Sequence, residues 1–478
     1  MGTVGLSFGS PTSGQGFDVT TTVNQIVTNL QAVETPWKTQ LTSLQSKDTA
    51  LSSLGTQIST LSTDLRNLTD FSGTMAYKTG SSSNTNMLTL SSASAAAVAG
   101  THTIVVQNLA QTSSAASDAV GATDTLTGGI TFKVGTGDWQ TVNVGDGSTA
   151  ATLSGISSAI NFAGLAVTAS VLTNADGTQR LSLVSKTNGA AGQITIADAT
   201  SNPASPTTLA DSTTADKNMG LGLATIQNGI DATMTVDGVT LTSASNTVTN
   251  AIPGVTFQLL STGSSSSAPE TVQVIIANDT SSIETAINTF VTDYNTTIKA
   301  INAQEGKDSS GNPEPLYGSS VLARLQQSLL SAVSSSFGSN TINSLISLGI
   351  TASASADGTI SLNADTLSSA LNSNFDQVVS LFQDTGGFGS TFTKTLDAIG
   401  SSSASGSAIS LALSENSSQE KTLNDNISRQ DALIATQKTN LTTELNSANQ
   451  ILQAIPTMIQ QVNEMYSAIT GYKSSSNG

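Results

Sequence analysis

The chain has 478 residues, no cysteine, and a formal net charge of −17 set by 16 basic and 33 acidic residues. Charged residues are only 10% and aromatics only 4%, which excludes a large aromatic core and leaves stability to many small apolar seams or to self-association. Phosphate binding needs clustered Lys and Arg and none is present, so nucleic acid is no partner; a disulfide framework, a thiolate zinc site and a Cys nucleophile are excluded, and no apolar run approaches the roughly 20 residues that span a bilayer.

The chain opens on a Gly- and Ser-rich stretch from Gly2 to Gly16 whose composition is that of disordered sequence. It has no basic n-region or apolar h-region, and the first Lys is Lys38. A general secretory signal is therefore not expected, although few charges and many small polar residues suit an exported protein. The stretch suits a flexible segment read directly by another export route.

Asp18 is the expected N-cap of the first helix. From Val23 an apolar residue recurs every seventh position, at Val23, Leu30, Trp37, Leu44, Leu51, Ile58 and Leu65. A seven-residue repeat predicts long helices that bury a narrow seam against other helices. Thr35-Pro36 reads as a second N-cap with Pro at the first helical position, so a kink or short break is expected there. A companion row runs through Leu54, Leu61 and Leu68, with Gln40 and Lys47 as its polar members.

From Tyr77 the period changes to two, the period of strands. Leu88 and Leu90, then Ile104 and Val106, read as strands. Gly129 to Val144 reads as a hairpin, followed by a short helix bearing Leu153, Ile156 and Ile160. Leu165 to Val171 and Leu181 to Leu183 flank an Asp176-Gly177 turn, a strong hairpin signal. Asn202 to Asp216 reads as a linker. Strands resume at Met234 and Val236, turn at Asp237-Gly238, and continue through Val239 and Leu241, Val255 to Leu259 and Val272 to Ile276.

Helical spacing returns at Ile283 to Ile301 and again at Val321 to Val333. A small hairpin, Leu348 to Leu362, has Asp357-Gly358 at its tip. Two helices are expected at about Asp365 to Phe382 and Phe388 to Ile399, then a break at Ser401 to Ser407. The final helix repeats the seven-residue spacing at Ile427, Ile434, Leu441, Ala448, Ile455, Val462 and Ile469.

Several of these segments resemble the bacterial flagellar filament cap protein family, hook-associated protein type 2. The opening GQGFDVTTTVNQIVTNLQAVETPW is similar to that family's start, with Phe17 where Leu is commoner. MTVDGVTLTSASNTVTNAIPGVTFQL (Met234 to Leu259) is the most specific match. FVTDYNTTI (Phe290 to Ile298) and LGITASASADGTISLN (Leu348 to Asn363) follow in the family's order. VGDGSTAATLSGISSAIN (Val144 to Asn161) resembles an insert shared by several flagellar axial proteins.

The resemblance implies a cap at the distal tip of the flagellar filament, extracellular and exported by the flagellar type III route. It implies a ring-like homo-oligomer, such as a pentamer, that keeps flagellin from escaping and guides its insertion. Flagellin, the hook-filament junction protein and a dedicated flagellar export chaperone are the implied partners. The alternatives are another axial flagellar protein, a filament subunit or a junction protein, and an adhesin that binds through its head. The module order from Met234 to Asn363 fits a cap better.

The expected fold is α+β and multidomain, with terminal coiled-coil helices and a helical leg carrying an inserted β-rich head of two subdomains. The expected divisions are 1–17 export segment, 18–72 N-terminal helices, 73–125 first part of the head, 126–222 inserted outer head, 223–278 second part of the head, 279–409 helical leg with the small hairpin, and 410–478 C-terminal helix and tail.

No residue is nominated for catalysis, a cofactor or a metal, and an enzyme is not expected. His102 is the one histidine and reads as a strand-associated polar residue. Asp176, Asp237 and Asp357 each precede Gly and read as turn residues. The seam residues are the expected contacts for oligomer and flagellin; an intramolecular bundle closed by their inner parts, Leu44 to Leu68 and Ile427 to Leu441, is the less favoured alternative. The outer turns, Val23 to Val33 and Met458 to Ile469, have no obvious core and are expected to order in a polymer. An antiparallel pairing of the terminal helices allows several heptad registers. The expected one sets Pro36 level with Pro456, because both prolines disturb a helix and one shared kink level is more economical than two; it also sets Val23 level with Ile469 and Lys47 against Glu444, a snorkelling Lys47 being the alternative for that pair.

Overall fold

The computed structural model describes residues 16–144, 151–197, 207, 210–211, 221–263, 270–400 and 406–471. Nearly all of the expected export segment, most of the linker at 202–216 and the first part of the Ser401 to Ser407 break lie outside the described residues. Asp18 caps helix α1 (Val19–Gln31), its carboxylate accepting from the Thr21 N–H at 3.0 Å. One 3-10 turn (Ala32–Glu34) leads into α2 (Thr35–Thr69), with Pro36 in the first turn, where its missing N–H costs no helical bond. The expected break at Pro36 is this single tightened turn.

The chain then becomes extended. Strands β1 (Lys78–Ser82), β2 (Leu88–Ala93), β3 (Gly100–Asn108), β4 (Ser114–Ala116), β5 (Leu126–Val134) and β6 (Gln140–Val144) precede helix α3 (Leu153–Phe162). After it come β7 (Val167–Thr173), β8 (Gln179–Ser185), β9 (Ile194–Ile196), β10 (Ala210–Asp211) and β11 (Ala224–Gln227). The segment ends with β12 (Ala232–Val236), β13 (Val239–Ser243), β14 (Thr247–Thr249), β15 (Val255–Leu259) and β16 (Thr271–Asn278). Helices α4 (Thr280–Gln304) and α5 (Ser320–Val333) follow, then a hairpin of β17 (Ile350–Ala352) and β18 (Ile360–Leu362). Last come α6 (Ala364–Ser373), α7 (Phe375–Gln383), α8 (Phe388–Ile399) and α9 (Ala408–Thr470). The helix expected over Asp365 to Phe382 is two helices, because Asn374 leaves helical geometry at φ −138° and ψ 37°.

The chain forms two compact units, Phe71–Ile283 and the segments on either side of it. In the β-rich unit the strand alternation builds two cores. One lies between a five-stranded antiparallel sheet, order β1-β16-β3-β12-β13, and a three-stranded sheet, order β14-β15-β2; Ile104, Met234, Phe257 and Val274 fill it. The other is closed by the sheet β11-β4-β8-β7, the sheet built on β5 and helix α3, around Phe132, Ile156, Ile160 and Leu181. The Asp237-Gly238 turn has both residues at positive φ, 51° and 84°, the geometry of a tight β-hairpin. Asp237 also reaches back to β3, accepting from the Thr103 N–H at 2.8 Å and sitting 2.7 Å from His102 Nδ1.

In the helical unit Phe290, Phe337, Phe382, Phe388 and Phe392 form one cluster. Phe290 on α4 meets Phe388 and Phe392 edge-on at 5.9 and 5.7 Å between ring centroids, and Phe382 meets Phe388 at 5.7 Å, the favoured arrangement of aromatic rings. Helix α4 also holds the hairpin β17–β18. Asn295 donates to the Ile360 carbonyl at 2.8 Å and accepts from the Ile360 N–H at 2.8 Å, so both outward polar groups of that strand residue are satisfied.

Candidate assembly surface

The seven-residue repeat of the N-terminal helices is a buried seam. Val23, Leu44, Leu51, Ile58 and Leu65 are buried, and Leu30 and Trp37 half-buried. Val23 is only 2% exposed, packed with α1 against α9, so the expectation that the outer turns of α1 lack a core is corrected. On α9, Ile434 is buried, and Ile427, Leu441, Ala448 and Ile455 are half-buried.

The two terminal segments run antiparallel, and two polar contacts set their register. Asn416 Nδ2 donates to Asp48 Oδ1 at 2.6 Å, and the Phe17 N–H donates to Asn449 Oδ1 at 2.9 Å. The expected register is corrected by these contacts. Pro36 lies level with about Ser428, and Pro456 lies about 28 residues, or roughly 40 Å, farther along α9 at 1.5 Å per residue. Lys47 lines a cleft with Glu415, Asn416 and Gln419, while Glu444 is exposed on the stretch of α9 that α1 covers. The Lys47–Glu444 pairing does not form.

The error is a whole number of heptads, about four, and it has a steric cause. Helix α2 packs against α7 and α8, Thr69 lying against Gly389 and the Asp70 carbonyl accepting from Gln383 at 3.0 Å. Helix α9 begins beyond them, where Ile409 lies against Gly55. The proline argument fails because the two prolines do different things. Pro36 starts a helix, whereas Pro456 lies inside an α9 unbroken from Ala408 to Thr470.

The shifted start shifts the other end. α9 passes Asn449, opposite Phe17, and continues to Thr470, about 32 Å of helix. Its apolar residues keep the spacing of the seam, yet Met458 is 54%, Val462 59%, Met465 60% and Ile469 82% exposed. Glu464 is the single charged residue from Ile451 to Thr470. An apolar stripe of this length with so little charge has the character of an interaction surface.

The register residues were not nominated from sequence, although a signal existed. Ile409, Asn416 and Leu423 are seven apart, so the α9 seam begins earlier than Ile427 and carries a polar residue at one position, the usual device for fixing register. The reciprocal asparagine contacts were also missed. Asn161 brackets Ala169, and Asn246 brackets Ala110, each donating to the carbonyl and accepting from the N–H.

Among the described residues no group of three His, Cys, Asp or Glu side chains is placed to hold a metal, and no helix is long and apolar enough to cross a membrane. A long antiparallel terminal pair, with a β-rich unit inserted between its arms and an apolar stripe left bare, defines a protein built for assembly. Residues 15–113 match the family described as flagellar hook-associated protein 2 N-terminus, and residues 229–468 its C-terminus. The chain belongs to the flagellar hook-associated protein 2 family. It is 29% identical over 461 residues to flagellar hook-associated protein 2 of Escherichia coli O157:H7, covering 91% of this chain and 94% of that one. It is 28% identical over 331 residues to the B-type flagellar hook-associated protein 2 of Pseudomonas aeruginosa, covering 65% of this chain and 67% of that one. The crystal structure of the D1-D2-D3 domains of the flagellar cap protein FliD from Escherichia coli superposes with a TM-score of 0.55 at 26% identity, covering 77% of this chain and 99% of that one.

Proposed function

We propose that this chain is the structural cap of a bacterial flagellar filament, seated at the distal tip, where it stops exported flagellin from escaping and promotes its polymerisation. The observation that carries the reading is the bare stripe from Met458 to Ile469 in a chain of this family. The stripe continues the seam that α1 and α2 cover farther up α9, so it fits another apolar helix of the same kind. Copies of this chain in a ring, and flagellin beneath it, supply such helices. On this reading Val23 to Leu65 and Ile427 to Ile455 close the helical unit of one chain, and Val462 and Ile469 face the polymer. A hook-filament junction protein and a dedicated export chaperone belong to the same reading as partners before and during assembly.

The experiment is a pair of substitutions, Val462→Asp and Ile469→Asp, in the full chain. Both positions are exposed in the single chain, so folding by circular dichroism is expected to be unchanged while self-association by light scattering and binding to filament tips are lost. Unchanged tip binding by the double variant would overturn the assignment of this surface.

A further inference from the structure

The β-rich unit has two lobes, one around each of its cores. The chain passes between them twice, outward from β3 to β4 and back from β11 to β12. Two lobes with separate cores, joined by two strands, swing by default. Here polar contacts close the passages from both sides. The passages pair with each other, the Gln111 N–H donating to the Ile230 carbonyl at 2.8 Å and the Ile230 N–H to that of Gln111 at 3.1 Å. Asn246 of the inner lobe brackets Ala110 on the outward passage. Gln193 of the outer lobe accepts from the Gly229 N–H on the return passage at 2.8 Å.

One loop of the outer lobe also touches the inner lobe directly. In the connection from β8 to β9 the Ala190 N–H donates to Asp231 Oδ1 at 2.7 Å. Asp231 immediately precedes β12, and its own carbonyl accepts from Asn108 at the end of β3 at 2.7 Å. Gly189 lies at φ 73° and ψ −166°, a region that essentially only Gly occupies. A Cβ on it would meet Asp231 Oδ1 and lie 2.8 Å from Ala244 Cα, in the connection from β13 to β14. Only a residue without a side chain seats this loop against the inner lobe.

We propose that this collar locks the two lobes into one rigid head, with the loop around Gly189 and Asp231 as its bolt, so that a load on the outer lobe moves the inner lobe with it. Rotation about the two passages would pull Ala190 from Asp231 and Gly229 from Gln193 together, leaving polar groups without those partners. Unseating the bolt leaves the two passages to act as a hinge. This lock is independent of the capping reading, since every contact in it lies within one chain.

The test uses the full chain, which has no cysteine of its own. Spin labels are placed on Ser81→Cys in the inner lobe and Thr173→Cys in the outer lobe, both exposed positions, and the distance distribution between them is measured by pulsed electron resonance. A single narrow distribution is expected. Gly189→Val and Asp231→Ala are each expected to broaden it with the circular dichroism spectrum unchanged, and Asp231→Asn, which keeps a carbonyl acceptor for Ala190, to leave it narrow. A broad or double distribution without these substitutions overturns the proposal even if a variant fails to fold. So does a distribution that stays narrow in either Gly189→Val or Asp231→Ala when that variant is folded.

Discussion

Asn416 and Asp48 meet at 2.6 Å although 368 residues separate them. A heptad seam alone is indifferent to slips of seven residues, since each slip sets apolar against apolar. A half-buried polar pair is not, because a slip leaves both groups without that partner. Together with Phe17 and Asn449 this contact fixes where α9 starts along α2, and hence how much of α9 is left uncovered.

The chain contains no cysteine, so the register can be read by cross-linking. The double variant Asp48→Cys with Asn416→Cys is expected to form an intramolecular disulfide on mild oxidation, seen as faster migration in a non-reducing gel. Lys47→Cys with Glu444→Cys is expected to remain reduced. Efficient closure of the second pair would restore the register that sets the two prolines level.

The two ends of the seam are expected to respond differently to truncation. Ile58 and Leu65 are fully buried, and replacing either by Ala is expected to destabilise the helical unit by about 2–5 kcal/mol. Ile469 is 82% exposed, and Ile469→Ala is expected to change monomer stability by less than about 0.5 kcal/mol. Urea unfolding of the full chain, followed at dilution where it is monomeric, measures both.

Asn295 is expected to matter more than a half-buried amide usually does. Its side chain satisfies both the N–H and the carbonyl of Ile360, and Asn295→Ala leaves them without those partners. The expected cost is about 1–3 kcal/mol. Hydrogen exchange is expected to accelerate in β17 and β18 before the rest of the helical unit. Unchanged exchange there would show that the hairpin is held by its apolar contacts alone.

In the β-rich unit the Asp237 carboxyl is held below its ordinary value of 3.8 by its hydrogen bonds to His102 and then to the Thr103 N–H. A lowered value means the stabilisation is present above that ordinary value and is lost as pH falls through the folded one. Acid unfolding of this unit is therefore expected to be less steep in Asp237→Asn than in the wild type. Equal steepness would mean that other carboxylates set the acid limit.

Much of the fold is legible in the sequence because local signals agree with the final packing. Asp18 caps a helix, Asp237-Gly238 makes a hairpin, and the seven-residue repeat from Val23 to Leu65 is a buried seam. Register was not legible in the same way. It depends on α7 and α8 occupying the end of α2, and its one trace in the sequence, Asn416 in the row of Ile409 and Leu423, does not name the partner it meets. The contrast between the covered Val23 and the bare Ile469 follows from that same placement. Asn295 was missed because a single amide has no periodic signature, and its function exists only once the hairpin lies against α4.

The central claim is capping, and the most direct measurement is the fate of flagellin in cells that lack this chain. Unpolymerised flagellin is expected to accumulate in the medium, filaments to be short or absent, and swimming to be poor. The full chain is expected to restore all three, while the Val462→Asp and Ile469→Asp double variant, although folded and exported, is not. Filaments of normal length in the complete absence of the chain would contradict the account.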